Sequence, residues 1–215
     1  MKQNNDRPVI VAIAGNIGTG KSFAMKHFME NGIPCHSADK IANDIIISPD
    51  SRDELVMLFG EQIIKKNKVD KKELRKLVFA DQERLETLNH FVHHKILSVL
   101  QDIIDNYCID NKKHEVVCFE IPLLFELKLY HSFDLNILLY SDKKAIFDRI
   151  TKRDNCSENE VKEILKFQIT HKKNKKYADI ILDNNDDIKS FTDRLNILLQ
   201  TFKYIKKRKL KRLAE

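Results

Sequence analysis

Eight residues constrain this chain more than any other stretch: Gly15-Asn16-Ile17-Gly18-Thr19-Gly20-Lys21-Ser22, which match the pattern G-x-x-x-x-G-K-[ST] without a mismatch. The 215-residue chain has only five glycines, and three of them stand here. Glycine permits φ > 0 and lets consecutive N–H groups converge on an anion with no Cβ in the way. Val9 to Ala14, before the loop, is an unbroken apolar run that reads as a buried strand. Phe23 to Met29, after it, reads as a helix. That order turns the loop amides and a helix N-terminus toward the same phosphates. An ordinary glycine-rich turn would need neither Lys21 nor Ser22, so the stretch predicts nucleotide binding through residues 15 to 22, with Phe23 adjoining.

The rest of the composition narrows the class. A hydrophobic fraction of 42% supports a buried core, and 33% charged residues predict a well-solvated surface. The formal charge of +6 points to an acidic partner, whether phosphorylated small molecule, nucleic acid or membrane surface. Cys35, Cys108, Cys118 and Cys156 are scattered with no C-x-x-C pair, which indicates neither a zinc site nor a disulfide framework. Cys118 lies in an apolar run and reads as a small core residue. The polar N-terminus and the short first apolar run give no targeting or membrane segment, and a cytoplasmic location is the expectation.

Taken in order, the chain alternates strands and helices. Asn31-Gly32 is a helix stop, since Gly suits the left-handed position there. Ile33 to His36 reads as a second strand, which delivers Ser37-Ala38-Asp39 to the edge where open α/β sheets bind ligands. Asp39 there accepts a proton from a substrate hydroxyl or helps hold Mg²⁺, or else caps the helix over 40–46, the commoner role for Asp at a helix start. From Pro49 to about Asp110 the pattern is helical, with expected capping boxes at Ser51–Glu54 and Asp70–Glu73. Leu85, Leu88, Val92, Ile96, Val99, Leu100 and Ile103 recur at helical spacing. His90, His93 and His94 lack a defined metal-ligand spacing. Val116 to Phe119 is a strand ending in Glu120, an arrangement like that in which a carboxylate orients Mg²⁺. Asn136 to Tyr140 is another strand, and a helix follows over about 142–153.

That helix places Arg149 and Arg153 four apart on one face. Either nearby acids balance them or anionic phosphates lie between them. A third capping box, Ser157–Glu160, opens a helix toward Gln168, and His171 to Lys176 is strongly basic. With the two arginines this makes a charged excursion between strands, as a lid over ATP phosphates would. A last strand over Tyr177 to Leu182 and an amphipathic helix over Ile188 to Tyr204 close the chain. The basic tail from Lys206 reads as a solvated, frayed terminus rather than a surface for nucleic acid or lipid. The fold class expected is α/β: a P-loop NTPase-type doubly wound parallel sheet of about five strands with a helical insertion and a lid. One domain is expected, its core formed by 1–47, 113–150 and 177–215, with an insertion over about 48–112 and a lid over about 151–176.

The assembled motifs resemble the dephospho-coenzyme A kinase family over nearly the whole chain. They are the loop itself, Ser37-Ala38-Asp39-Lys40-Ile41-Ala42, Leu74-Arg75 through Val78-Phe79, and Leu88-Asn89 with His93. Pro122-Leu123-Leu124-Phe125-Glu126, Arg149, Arg153-Asp154, Gln168, Ala178-Asp179 and Asp183-Asn184 complete them. P-loops are shared by many proteins, whereas the Pro122–Glu126 run and the Ala178–Asn184 ending are far more specific. The chain departs from the family at Asn16, Phe23, Ser37, Asn43 and Asn174, and has Glu120 where Asp is common.

The resemblance implies transfer of the ATP γ-phosphoryl group to the ribose 3′-hydroxyl of dephospho-CoA, the last step of coenzyme A biosynthesis. Lys21 and the amides of residues 15–23 would hold the phosphates, Ser22 and Glu120 would serve Mg²⁺, and Asp39 would take the hydroxyl proton. Arg149 and Arg153 would neutralise the transferring group, with Lys21 and Arg149 counted as catalytic alongside Asp39. The insertion would hold the acceptor, with Arg75 and His93 as its polar contacts, and Asp39 and Glu120 of the core would complete the acceptor site. ATP and dephospho-CoA are the expected partners, without nucleic acid or membrane, for a monomer or weak homo-oligomer. A P-loop GTPase is disfavoured because no glycine has an Asp three residues before it, and Asn111-Lys112-Lys113-His114 lacks the Asp of N-K-x-D. Shikimate- or nucleoside-type kinases and a nucleic-acid-binding ATPase remain the alternatives.

Overall fold

Short apolar runs bracketed by polar residues become strands here, and amphipathic runs become the helices that cover them. The structure is a computed structural model that describes residues 7–110, 114–154 and 174–213. In chain order the elements are β1 (Val9–Gly15), α1 (Lys21–Glu30), β2 (Cys35–Ser37), α2 (Ala38–Ile47) and α3 (Pro49–Phe59). Next come β3 (Ile64–Lys65), β4 (Lys68–Val69), α4 (Lys71–Phe79), α5 (Gln82–Ile109) and β5 (Val116–Glu120). The chain continues through β6 (Leu135–Tyr140), α6 (Lys143–Asp154), β7 (Ile180–Asp183) and α7 (Ile188–Phe202). Most of the expected lid, including Ser157–Glu160 and Gln168, lies outside the described residues.

The described residues form two compact units, one from the chain up to His36 with Ile104–Arg212, the other from Ser37–Ile103 with Leu213. The first holds the five-stranded sheet, in the order β2-β5-β1-β6-β7. The β1–β5, β1–β6 and β6–β7 ladders are parallel, with Ile13 opposite Glu120, Gly15 opposite Leu139 and Tyr140 opposite Asp183. Every residue of β1 is buried. Burial on both faces requires helices on both sides, which is why the strand reads as continuously apolar rather than alternating. One face packs Val9, Val11 and Ile13 against Met25 and Phe28 of α1 and against Phe191, Leu195 and Phe202 of α7. Phe28 and Phe202 meet edge to face at 5.5 Å. Cys118 is fully buried in this layer, and burial pushes its thiol well up. On β2, His36 stacks on Phe119 at 5.3 Å, and burial lowers its imidazole.

The second unit packs Leu55, Phe59, Ile63, Val69, Leu74 and Val78 into its own core. Two expectations are corrected here. The stretch from Pro49 to Asp110 is not helical throughout, because β3 and β4 pair antiparallel, with Ile64 opposite Val69 and Lys65 opposite Lys68. Their turn is Lys66-Asn67, both left-handed at φ 51° and 62°, the backbone of a two-residue hairpin. Also, α3 starts before the expected box: the Ser48 hydroxyl accepts from Ser51 N, with proline following it, and Ser51 itself is buried. The Asp70 cap is present, its carboxylate accepting from Lys72 N at 2.9 Å and Glu73 N at 3.3 Å.

Strand ends also shift. β2 begins at Cys35 rather than Ile33, and β7 at Ile180 rather than Tyr177, since Lys175–Tyr177 forms a 3₁₀ turn and Asp179 accepts from Asn136 N. The basic tail is not frayed. Arg208 N donates to Asp134 at 2.5 Å, and its guanidinium pairs with Asp179 at 2.6 Å. The Arg212 guanidinium pairs with Asp105 at 3.1 Å. Asp134, whose side chain is fully buried, also receives two bonds from Arg7 and one from Ile10 N. Burial lowers the Arg7 pKa, and the hydrogen bonds and charge of Asp134 more than reverse that. No helix among the described residues is long and apolar enough to cross a membrane.

Candidate active site

Parallel pairing brings the carboxyl ends of β1, β5, β6 and β7 to one edge of the sheet, and the glycine loop leaves from the central strand there. Its glycines are required by close approach. A Cβ on Gly15 (φ 152°) would lie 2.7 Å from Leu139 O, and one on Gly20 (φ 96°) would lie 2.5 Å from Asn184 Nδ2. The Lys21 ammonium lies along its own loop, donating to Gly15 O at 2.9 Å and Asn16 O at 3.1 Å. Thr19 is buried, and its hydroxyl donates to Asn16 O at 2.8 Å. Ile17 packs with Ile146 and Ile150 of α6, so the loop is backed by that helix. Ser22 is exposed in the first turn of α1. Phe23 turns toward Phe191, with ring centroids 5.8 Å apart, which gives this departure from the family a packing role.

Arg149 is half-buried beside the loop. Its Nη1 donates to Gly18 O at 3.2 Å and Ser141 Oγ at 3.0 Å, and its Nη2 to Asn184 O at 2.8 Å and Oδ1 at 3.1 Å. Arg153, one turn further on, is exposed. Asn184 and Ser141 have no individual role in the sequence reading. Asn184 Nδ2 donates to Thr19 O at 2.9 Å, and Ser141 Oγ donates to Asn184 O at 2.7 Å. The only available signal for Asn184 was its place in the Asp183-Asn184 motif. A residue pairing with another 165 positions away leaves no local pattern.

Glu120 ends β5 at the same edge, 8% exposed, its backbone in the β1–β5 ladder and its carboxylate without a hydrogen-bond partner among the described residues. It and the Ser22 hydroxyl are hard oxygen donors. Asn174 reaches Glu126, the last residue of the Pro122–Glu126 run, at 2.8 Å.

In the second unit, α2 begins at Ala38 with Ser37 as N-cap and no side-chain cap bond. Asp39 therefore stands inside the first turn, exposed and without a partner among the described residues, and does not cap the helix. Asp39 and Arg75 line one cavity of about 1130 Å³, together with Asn43 and a group of lysines. His93, half-buried on α5, does not line it.

Comparison with known proteins gives the family. Residues 9–190 match the family model for dephospho-CoA kinase. The dephospho-CoA kinase of Leptospira interrogans is 32% identical over 205 residues, covering 93% of this chain and 97% of that one. That of Fusobacterium nucleatum is 30% identical over 194 residues, covering 90% and 98%. Among solved structures, TT1252 from Thermus thermophilus aligns with a TM-score of 0.74 at 27% identity, covering 90% of this chain and 97% of its own. The dephospho-CoA kinase from Campylobacter jejuni aligns at 0.69 and 27% identity, covering 91% and 97%. A phosphate-binding loop on the central strand of a parallel sheet, with a model match over most of the chain, leads to one conclusion: this chain belongs to the dephospho-CoA kinase family.

Proposed function

We propose that this chain phosphorylates the ribose 3′-hydroxyl of dephospho-CoA with ATP. The observation that carries the reading is the complete phosphate loop on central β1, in a chain matching the dephospho-CoA kinase model over residues 9–190. In the reaction the 3′-oxygen attacks the γ-phosphorus, a P–O bond forms there, and the bond to the β-phosphate bridging oxygen breaks to release ADP. The hydroxyl proton passes to Asp39, whose exposed carboxylate has no competing partner among the described residues. General-base catalysis of this kind contributes about 10²–10⁴-fold.

Lys21 and the loop amides take the β- and γ-phosphates, the ammonium exchanging the carbonyls of Gly15 and Asn16 for phosphate oxygens. Arg149 stabilises the charge of the transferring group from its place against Gly18, and Arg153 adds to the positive field. Residues 48–112 hold the acceptor, with Arg75, which lines one cavity with Asp39, among its polar contacts. Mg²⁺ fits the donors present. It keeps several waters and binds through one or two protein oxygens plus phosphates, which Ser22 and Glu120 suit. When bound, it neutralises phosphate charge and orients the γ-phosphoryl group.

The test measures ATP consumption with dephospho-CoA, shikimate and nucleosides in parallel, with Asp39→Asn as control. The expected result is turnover with dephospho-CoA alone, lowered about 10²–10⁴-fold in kcat by the substitution. Absence of turnover with dephospho-CoA, or full activity of the variant, sinks the proposal.

A further inference from the structure

The cavity that holds Asp39 has two unlike kinds of lining residue. One is apolar, namely Ala42, Ile46, Val69, Val78 and Phe79, the last of them 70% exposed. The other comprises six cationic side chains, those of Lys65, Lys66, Lys68, Lys71, Lys72 and Arg75. Among the described residues only two carboxylates stand against them, Asp39 and Asp70, and Asp70 is already occupied with the backbone N–H groups of α4. Among the described residues no carboxylate pairs with any of the six. Lys71 is held instead by the Asn43 amide oxygen at 2.6 Å.

Surface lysines are usually just solvated, but this arrangement works against its own stability. The β3–β4 register sets Lys65 directly opposite Lys68, and like charges in that position repel. Between them Lys66 adopts left-handed backbone, where Gly, Asn or Asp is the usual residue. Charge concentrated at a hairpin that lines a concave surface, in a cavity also lined by an exposed aromatic residue, is what an anion with an apolar extension would relieve.

We propose that Lys65, Lys66 and Lys68, with Lys71 behind them, are specificity-determining residues that bind the 5′-diphosphate of the acceptor. The apolar lining residues, Phe79 among them, receive the long arm that the diphosphate carries. This rests on the kinase reading and goes beyond it, because it says which part of the acceptor is recognised and by what. A nucleoside lacking the diphosphate forfeits these contacts, so the hairpin separates dephospho-CoA from simpler 3′-hydroxyl compounds.

The experiment uses the full chain and the triple variant Lys65→Gln, Lys66→Asn, Lys68→Gln, with Phe79→Ser as a second variant. Dephospho-CoA binding is measured by calorimetry at about 50 mM and about 300 mM salt, where screening differs strongly, and steady-state kinetics are measured for both substrates. For the triple variant the expected result is a rise of about tenfold or more in Kd and KM for dephospho-CoA. Its binding should also depend less on salt, with kcat and the KM for ATP near wild type. Phe79→Ser should weaken binding without changing the salt dependence. A dephospho-CoA Kd within about twofold of wild type, or an unchanged salt dependence in the triple variant, overturns the inference. If the wild type binds dephospho-CoA but does not turn it over, the kinase reading fails and the calorimetric comparison still decides the hairpin's role. If it does not bind dephospho-CoA at all, both fail.

Discussion

Asn184 ties three parts of the glycine-loop edge together. Its amide nitrogen holds Thr19 O, its amide oxygen receives Arg149, and its backbone oxygen receives both Ser141 and Arg149. The side chain is 6% exposed, so its partners have little water to replace it. Removing one member of such a buried set leaves the others unsatisfied, at about 1–3 kcal/mol. Asn184→Ala should therefore lower the unfolding midpoint by roughly 2–4 °C per kcal/mol lost, as expected for a chain of this length. It should also raise the KM for ATP more than that for dephospho-CoA, because the backbone it holds belongs to the phosphate loop. Asn184→Asp keeps an acceptor for Arg149 but loses the donor to Thr19, and should retain part of the midpoint. A thermal melt with and without nucleotide checks both, and an Asn184→Ala protein with wild-type stability and ATP kinetics would refute this role.

At the scale of elements, the C-terminal segment acts as a strap across the amino ends of the strands. Its contacts are of unequal worth. The Arg208–Asp179 ion pair is half exposed, and such pairs contribute about 0–1 kcal/mol. The Arg208 backbone N–H reaches a fully buried Asp134 carboxylate, a charge-assisted bond of about 1.5–3 kcal/mol. Arg208→Ala, which keeps the N–H, should change stability little, whereas truncation before Lys206 should destabilise measurably in chemical denaturation. Equal effects from the two would mean that the side chain, not the backbone, carries the strap. A run of lysines and arginines gives no sign of this in sequence, since the partner acids lie between 29 and 107 positions away. The β3–β4 hairpin was hidden for a different reason. Its turn lacks glycine, and its two-residue strands are too short to show alternation.

For the molecule as a whole, what could be read from sequence is what depends on neighbouring residues. Val9–Gly15, Val116–Glu120 and the helical spacing of α5 are local patterns, and so is the phosphate loop, whose chemistry needs eight consecutive residues. The site was legible only where a motif carried it: Lys21, Ser22 and Asp39 were given roles and Asn184 only a place in the Asp183-Asn184 motif, while Ser141 and the hairpin lysines had neither. Those residues gain meaning from register and from the cavity they line, which no window of sequence contains. The two units keep separate hydrophobic cores, and that separation has a measurable consequence. A ligand stabilises what it binds by RT ln(1 + [L]/Kd), about 2.7 kcal/mol at 100 Kd, and amides opening by local unfolding report it where the contact is made. A non-hydrolysable ATP analogue should slow hydrogen exchange chiefly across residues 15–30 and 184–195. Dephospho-CoA added alone should slow it across residues 64–79, around the hairpin and α4. Protection by dephospho-CoA confined to the glycine loop would place the acceptor on the nucleotide's own site, and would count against both the assignment of residues 48–112 and the role given to Lys65, Lys66 and Lys68.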